Sequence, residues 1–190
     1  MLISRNTYKS LFLIALALCS AWSFAQSKTS FGSANATQCF IASGNPSSLL
    51  DARVCTNAIR HDNLSKRDLA ATHTNRGIIL AAGGELRQAL EDHNQAAQLK
   101  KDLSKIYINR GTVFHRLKEY EKALLDYQKA LDLGGVPKDI VEYNRALSLL
   151  KIRKTKEALK ALERALGYNP GSLRVKAKIK AISSPRNIQK

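Results

Sequence analysis

The feature that most limits what this chain can fold into is an internal period. Gly77, Gly111 and Ala146 stand 34 and 35 residues apart, and the same two steps carry Ala89 to Ala123 to Ala158 and Ala96 to Ala130 to Ala165. Three registers that agree describe one unit used three times. A unit of ~34 residues has the length of two short helices and a turn, and it cannot bury its apolar face without stacking on a neighbour. The expected fold class is all-α, a solenoid of helical hairpins with no separate globular core.

Composition is compatible with such a stack. Of 190 residues, 44% are hydrophobic and 24% charged, which is ordinary for a folded chain. The net charge of +16 is not ordinary, and its placement matters more than its size. Residues 147 to 190 carry 12 Lys or Arg against Glu157 and Glu163, while residues 26 to 146 carry 17 against 13. The positive field is concentrated at the C-terminal end.

The middle copy shows what the period encodes. Its first half places Tyr107, Arg110, Gly111 and Phe114, and its second half Ala123, Tyr127 and Ala130. This order of aromatic, large, small, aromatic, then Ala, aromatic, Ala resembles the tetratricopeptide repeat family. The resemblance implies a right-handed helical-hairpin solenoid of three repeats, with an N-terminal half-repeat and a C-terminal capping helix to cover its ends. The first copy answers with His73, Arg76, Gly77, Leu80, Ala89, His93 and Ala96, and the third with Arg145, Ala146, Leu149, Ala158, Leu162, Ala165 and Pro170. Glu142 stands in the third copy where the first aromatic belongs, with Tyr143 beside it.

In chain order, residues 1–25 read as an export signal. Arg5 and Lys9 make a basic start, Leu11 to Leu18 an apolar run, and Ser23-Phe24-Ala25 a small-residue cleavage site. The alternative, an uncleaved anchor, is too short, since a helix needs ~20 apolar residues to span a bilayer. No transmembrane anchor is expected after cleavage, and the expected location is the periplasm or the outside of a bacterial cell. Cleavage would remove Cys19 and leave Cys39 and Cys55 as an even pair. An oxidising compartment would join them, with two buried free thiols as the alternative. Residues 26–45, rich in Ser, Thr, Asn and Gly, read as a flexible segment with little to order it. From 46 to 64 the spacing of Leu50, Val54, Ala58 and Ile59 reads as a helix, the half-repeat. Repeat 1 spans 65–101, repeat 2 102–137, and repeat 3 138–170. The closing helix is 171–182, and 183–190 read as a disordered tail.

Asn-Arg recurs in step with the repeat, at Asn75-Arg76, Asn109-Arg110 and Asn144-Arg145. Asp92 and Asp126 lie 16 residues after Arg76 and Arg110, so ion pairs closing two hairpins are expected, whereas Ala161 takes that place in the third copy. In proteins that resemble this one, the position before the Arg lines a concave groove. A row of three amides there, each with a donor and an acceptor, would grip the backbone of an extended peptide with little regard to its sequence. The alternative is that each Asn bonds the adjacent helix. The rest of the expected groove wall is Thr74, Ile78, Lys105, Ile108, Thr112, His115, Arg116, Tyr143, Leu147 and Lys151, an apolar floor with a basic rim that suits an acidic segment. One subgroup of the family clamps the terminal carboxylate of heat-shock chaperones with Lys, Asn and Arg. Here the corresponding places hold Thr74, Ile78, Ile140 and Asn144, so that partnership is not implied.

No catalytic pattern emerges. Gly83-Gly84 and Gly134-Gly135 read as turns and not as phosphate loops, and no nucleophile stands near a base at a recognisable spacing. His73 and His93 should face one another across the first hairpin. A metal site there would be short of the three or four protein ligands that zinc uses, so a hydrogen-bonded histidine pair is expected. No enzyme and no cofactor are expected. The expected partner is a protein or peptide. The alternative is an anionic envelope polymer or lipid surface held by the basic C-terminal half through Lys176, Lys178 and Lys180. Nucleic acid is disfavoured because aromatic residues for base stacking are sparse.

Overall fold

Each repeat becomes two antiparallel helices because its turn is specified by the backbone. At the same place in the three repeats stand Gly84, Lys118 and Arg153, with φ of 92°, 64° and 62°. At each, the amide of the following residue donates across the turn to a carbonyl of the preceding helix: Glu85 to Leu80, Glu119 to Phe114 and Lys154 to Leu149, all at 2.9 Å. This is the six-residue bond of a Schellman ending, which stops one helix and reverses the chain within a few residues.

The computed structural model describes residues 33–44 and 51–184. Among the described residues the regular elements are all helices: α1 (Ala34–Gly44), α2 (Asp51–His61), α3 (Lys66–Ala82), α4 (Leu86–Leu99), α5 (Ser104–Arg116), α6 (Tyr120–Leu133), α7 (Lys138–Lys151), α8 (Thr155–Tyr168) and α9 (Leu173–Ser183). The pairs α1/α2, α3/α4, α5/α6 and α7/α8 form hairpins, and α9 packs on α8. Along the stack, α1 touches α3, α3 touches α5 and α5 touches α7. The first helices of the hairpins therefore approach one another on the inner side of a helical-hairpin solenoid. None of the helices is long and apolar enough to cross a membrane.

The small residues of the period are what let the helices close. Ala89, Ala123, Ala158, Ala96, Ala130 and Ala165 are all fully buried. Gly77 faces the ring of His93, and a Cβ on it would lie 2.7 Å from Cε1; Gly111 faces Tyr127, where the same addition would lie 2.8 Å from Cε1. In the third copy the wider Ala146 shares a core cluster with the branched, non-aromatic Leu162. Small first-helix residues and large second-helix residues are matched repeat by repeat.

The N-terminal end differs from the expectation. The stretch 26–45 read as flexible, yet Ala34–Gly44 is a helix, and the half-repeat is completed into a hairpin. Ser33 caps it, its Oγ accepting from the Ala36 amide at 3.1 Å and donating to the Asp62 carboxylate, which also accepts from Asn35 at 3.0 Å. Cys39 and Cys55 are joined as a disulfide and buried with Ile79, Leu80 and Ala89 of the first repeat. Local composition favours disorder here, and tertiary contacts override it. The expected export signal, residues 26–32 and 45 of the expected flexible segment, residues 46–50 of the expected N-terminal helix and residues 185–190 of the expected tail lie outside the described residues.

Candidate functional site

The first two recurring arginines, Arg76 and Arg110, each tie a hairpin to itself and to the one before it. Arg76 donates Nε to Asp92 Oδ2 at 2.8 Å and Nη2 to Oδ1 at 2.7 Å; Arg110 makes the same fork to Asp126, both at 2.8 Å. The remaining Nη1 reaches back to the preceding hairpin, to Thr56 Oγ1 at 3.0 Å and to Asn94 Oδ1 at 3.1 Å. A planar fork with a spare donor suits this triple task, which a lysine would not perform. Burial by itself would raise the Asp92 carboxyl, but the hydrogen bonds and charges of Arg76 and His73 outweigh it and hold it below the usual carboxylate range. The hydrogen bond to Asp126 raises Arg110.

The third hairpin solves the same problem with the charges exchanged. Glu142, in the place of Tyr107, is buried and accepts from Arg164 Nε at 2.6 Å and Nη2 at 3.0 Å. The carboxylate is now on the first helix and the guanidinium on the second. Arg145 stays within its own helix, 3.7 Å from Glu142.

The expected histidine pair does not form. His73 Nδ1 lies 2.9 Å from Asp92 Oδ1, while His93 is wholly buried against Gly77 and neither of its ring nitrogens has a hydrogen-bond partner among the described residues. Desolvation is the main cause that lowers His93 to about 4, with Arg110 adding to it and Asp92 opposing. Packing against glycine, as Tyr127 does, fixes this ring in an apolar place where it stays neutral.

The three recurring asparagines share one environment. Asn75, Asn109 and Asn144 are all half-buried, at equivalent places on α3, α5 and α7, and none of their side-chain amides makes a hydrogen bond within the described residues. The rest of the expected wall divides into free and occupied groups. Lys105 and Lys151 are exposed. Ile108 and Leu147 are half-buried and lean on the cores beneath them. Thr112 Oγ1 donates to the Ile108 carbonyl at 2.9 Å, and Thr74 Oγ1 to that of Ala70 at 2.8 Å. His115 Nδ1 lies 2.8 Å from Ser148 Oγ, linking α5 to α7, and burial followed by the charge of Lys151 lowers it. Arg116 donates to the Ala81 carbonyl at the end of α3. Tyr143 is a correction: it is only 8% exposed, because the Arg174 guanidinium of α9 lies 4.1 Å over its ring. Five expected wall residues, Thr74, Thr112, His115, Arg116 and Tyr143, thus have partners inside the stack.

An opening beside Asn75 was not anticipated. A pocket of about 360 Å3 lies between α1, α3 and the start of α5, and it includes Asn75 and Lys105 together with Phe40, Arg67 and Ala71. The adjacent pair Phe40-Ile41 inside a polar stretch was the sequence signal for it, invisible as such without α1.

Similarity to known proteins agrees with this geometry. Models of the tetratricopeptide repeat match residues 104–133 and 143–172. The chain is a tetratricopeptide-repeat protein. No curated protein matches it in sequence. Among solved structures, a MamA RS-1 double mutant has a TM-score of 0.64 at 16% identity, covering 79% of this chain and 84% of that one. YrrB, described as a tetratricopeptide-repeat protein with an unusual peptide-binding site, has a TM-score of 0.58 at 27% identity, covering 67% and 63%. The first repeat domain of Spaghetti (RPAP3), bound to the HSP90 peptide SRMEEVD, has a TM-score of 0.58 at 20% identity, covering 62% and 92%. These likenesses describe the fold of this tetratricopeptide-repeat protein, and the residues on its inner face are its own.

Proposed function

We infer that this tetratricopeptide-repeat protein is a non-enzymatic interaction module, exported into the bacterial envelope, that holds an extended segment of a partner protein in its inner groove. One observation carries the reading: Asn75, Asn109 and Asn144 repeat with the fold, remain half-buried, and spend none of their side-chain hydrogen bonds within the described residues. An amide needed only for stacking would be bonded to a neighbour, since unsatisfied half-buried polar groups are costly unless water or a ligand reaches them. The same fold presents an HSP90 peptide in the RPAP3 domain and a peptide-binding site in YrrB. Export is supported by the signal-like residues 1–25 and by the Cys39–Cys55 disulfide, a bond of oxidising compartments.

The test is binding of an array of extended decapeptides to the purified mature protein and to the Asn75, Asn109, Asn144 triple alanine variant. Three lost backbone contacts should weaken every bound peptide by tenfold or more, whatever its side chains. Equal binding by both proteins removes the ladder from the account.

A second reading has its own observation. Helix α9 carries Arg174, Lys176, Lys178 and Lys180 with no acidic residue, and the three lysines form no ion pair among the described residues. Retention on anionic vesicles that falls with salt and with neutralisation of the three lysines would favour an envelope surface as the ligand.

A further inference from the structure

We propose that the pocket between α1, α3 and α5 selects, within the bound segment, an apolar side chain of leucine or phenylalanine size flanked by acidic residues. The proposal rests on the groove reading and adds a specificity to it.

Phe40 is 67% exposed on the one hairpin that lies outside the three periodic repeats. Single exposed apolar residues are common and need no explanation. Phe40 differs because it forms the edge of a concavity whose other apolar surface comes from Ala71, Leu103 and Ile106. Its place is fixed by its neighbour Cys39, which is buried and bonded to Cys55, so the ring is presented and not collapsed into the core. A volume of about 360 Å3 is at the small end of ligand sites and suits a side chain or two more than a cofactor.

The charge at the pocket decides the flanking chemistry. Arg67 and Lys105 line it, and neither has an ion pair among the described residues. The one carboxylate there, Asp102, is already paired with Lys100 at 3.2 Å. The remaining field is positive and favours carboxylates on either side of an apolar anchor. Asn75, on the same wall, is the first rung of the backbone grip. A peptide held by that amide would place its next side chain over the pocket, which is how a strand-like ligand gains selectivity from an otherwise sequence-tolerant hold.

Fluorescein-labelled decapeptides of Asp, Glu and Ala, differing only at one central residue, read this out by anisotropy. Leu and Phe peptides should bind the wild type about tenfold to a hundredfold more tightly than the Ala peptide, the value of burying one such side chain. Ala71→Trp, which fills the pocket from an exposed position, should abolish that preference. Phe40→Ser, checked for an unchanged circular dichroism spectrum, should reduce it and serves if the first variant misfolds. Lys105→Glu should weaken all the acidic peptides.

If Leu, Phe and Ala peptides bind equally while the triple asparagine variant still weakens all of them, the pocket proposal is overturned and the groove stands. If Lys-centred or uncharged versions bind better than the acidic ones, the partner chemistry is wrong. If no decapeptide of any charge binds, the groove reading fails and takes this inference with it.

Discussion

Gly111→Ala should destabilise this protein, although the usual effect of that change in a helix is the reverse. Replacing glycine by alanine inside a helix is worth about 1 kcal/mol of added stability from backbone entropy. Against this, the new Cβ would stand 2.8 Å from Cε1 and 3.0 Å from Cδ1 of Tyr127, and 3.3 Å from the Ala123 carbonyl oxygen. Ordinary carbon contacts are about 3.5 to 4 Å, so the overlap is most of an ångström. Tyr127 is 1% exposed and bounded by a helix backbone, so it has nowhere to swing. Overpacking of this kind costs about 1 to 3 kcal/mol, leaving a net loss of up to about 2 after the helix gain.

The third repeat, with Ala146 and Leu162, indicates the compensation. In a double-mutant cycle with Tyr127→Leu, the Gly111→Ala step should become stabilising, giving a coupling of about 2 kcal/mol. Urea unfolding followed by circular dichroism measures all four corners. A Gly111→Ala protein more stable than wild type by the full helix gain, with Tyr127 in place, would refute the reasoning.

Other expectations come from the same geometry. Lys118→Gly and Arg153→Gly relieve φ values of 64° and 62° and should each stabilise by about 0.5 to 1 kcal/mol in thermal melts, with no effect on peptide binding. Arg110→Ala strands the buried Asp126 carboxylate and should cost about 3 kcal/mol in urea unfolding, whereas Arg145→Ala, whose neighbour Glu142 keeps Arg164, should cost under about 1. His93 is held near 4 when folded and titrates near 6.5 when unfolded, so between those values only the unfolded chain takes the proton. Its contribution is complete above about pH 6.5 and is lost as pH falls towards 4, by up to about 3 kcal/mol; His93→Tyr should flatten that slope in pH-dependent melts. Reducing the disulfide should free α1 to proteolysis while α3 to α9 stay protected, and should destabilise by about 3 kcal/mol.

The two levels of description divide along a physical line. Periodicity is a property of the chain itself: a repeated small residue at each helix crossing, and Arg and Asp 16 residues apart on facing helices, can satisfy one another only in stacked hairpins. The all-helical solenoid and the Arg76–Asp92 and Arg110–Asp126 clamps were therefore legible from spacing. Where a residue breaks the period, spacing carries no information, and contact alone assigns its partner. Glu142 found Arg164, His73 took Asp92 and left His93 without a partner among the described residues, and Arg174 closed over Tyr143. The helix α1 is the clearest case, because its own composition argues for disorder and its order comes from Cys55, Asp62 and the face of the first repeat. With it came Phe40 and the pocket, which no local pattern could place, since a concavity exists only between elements.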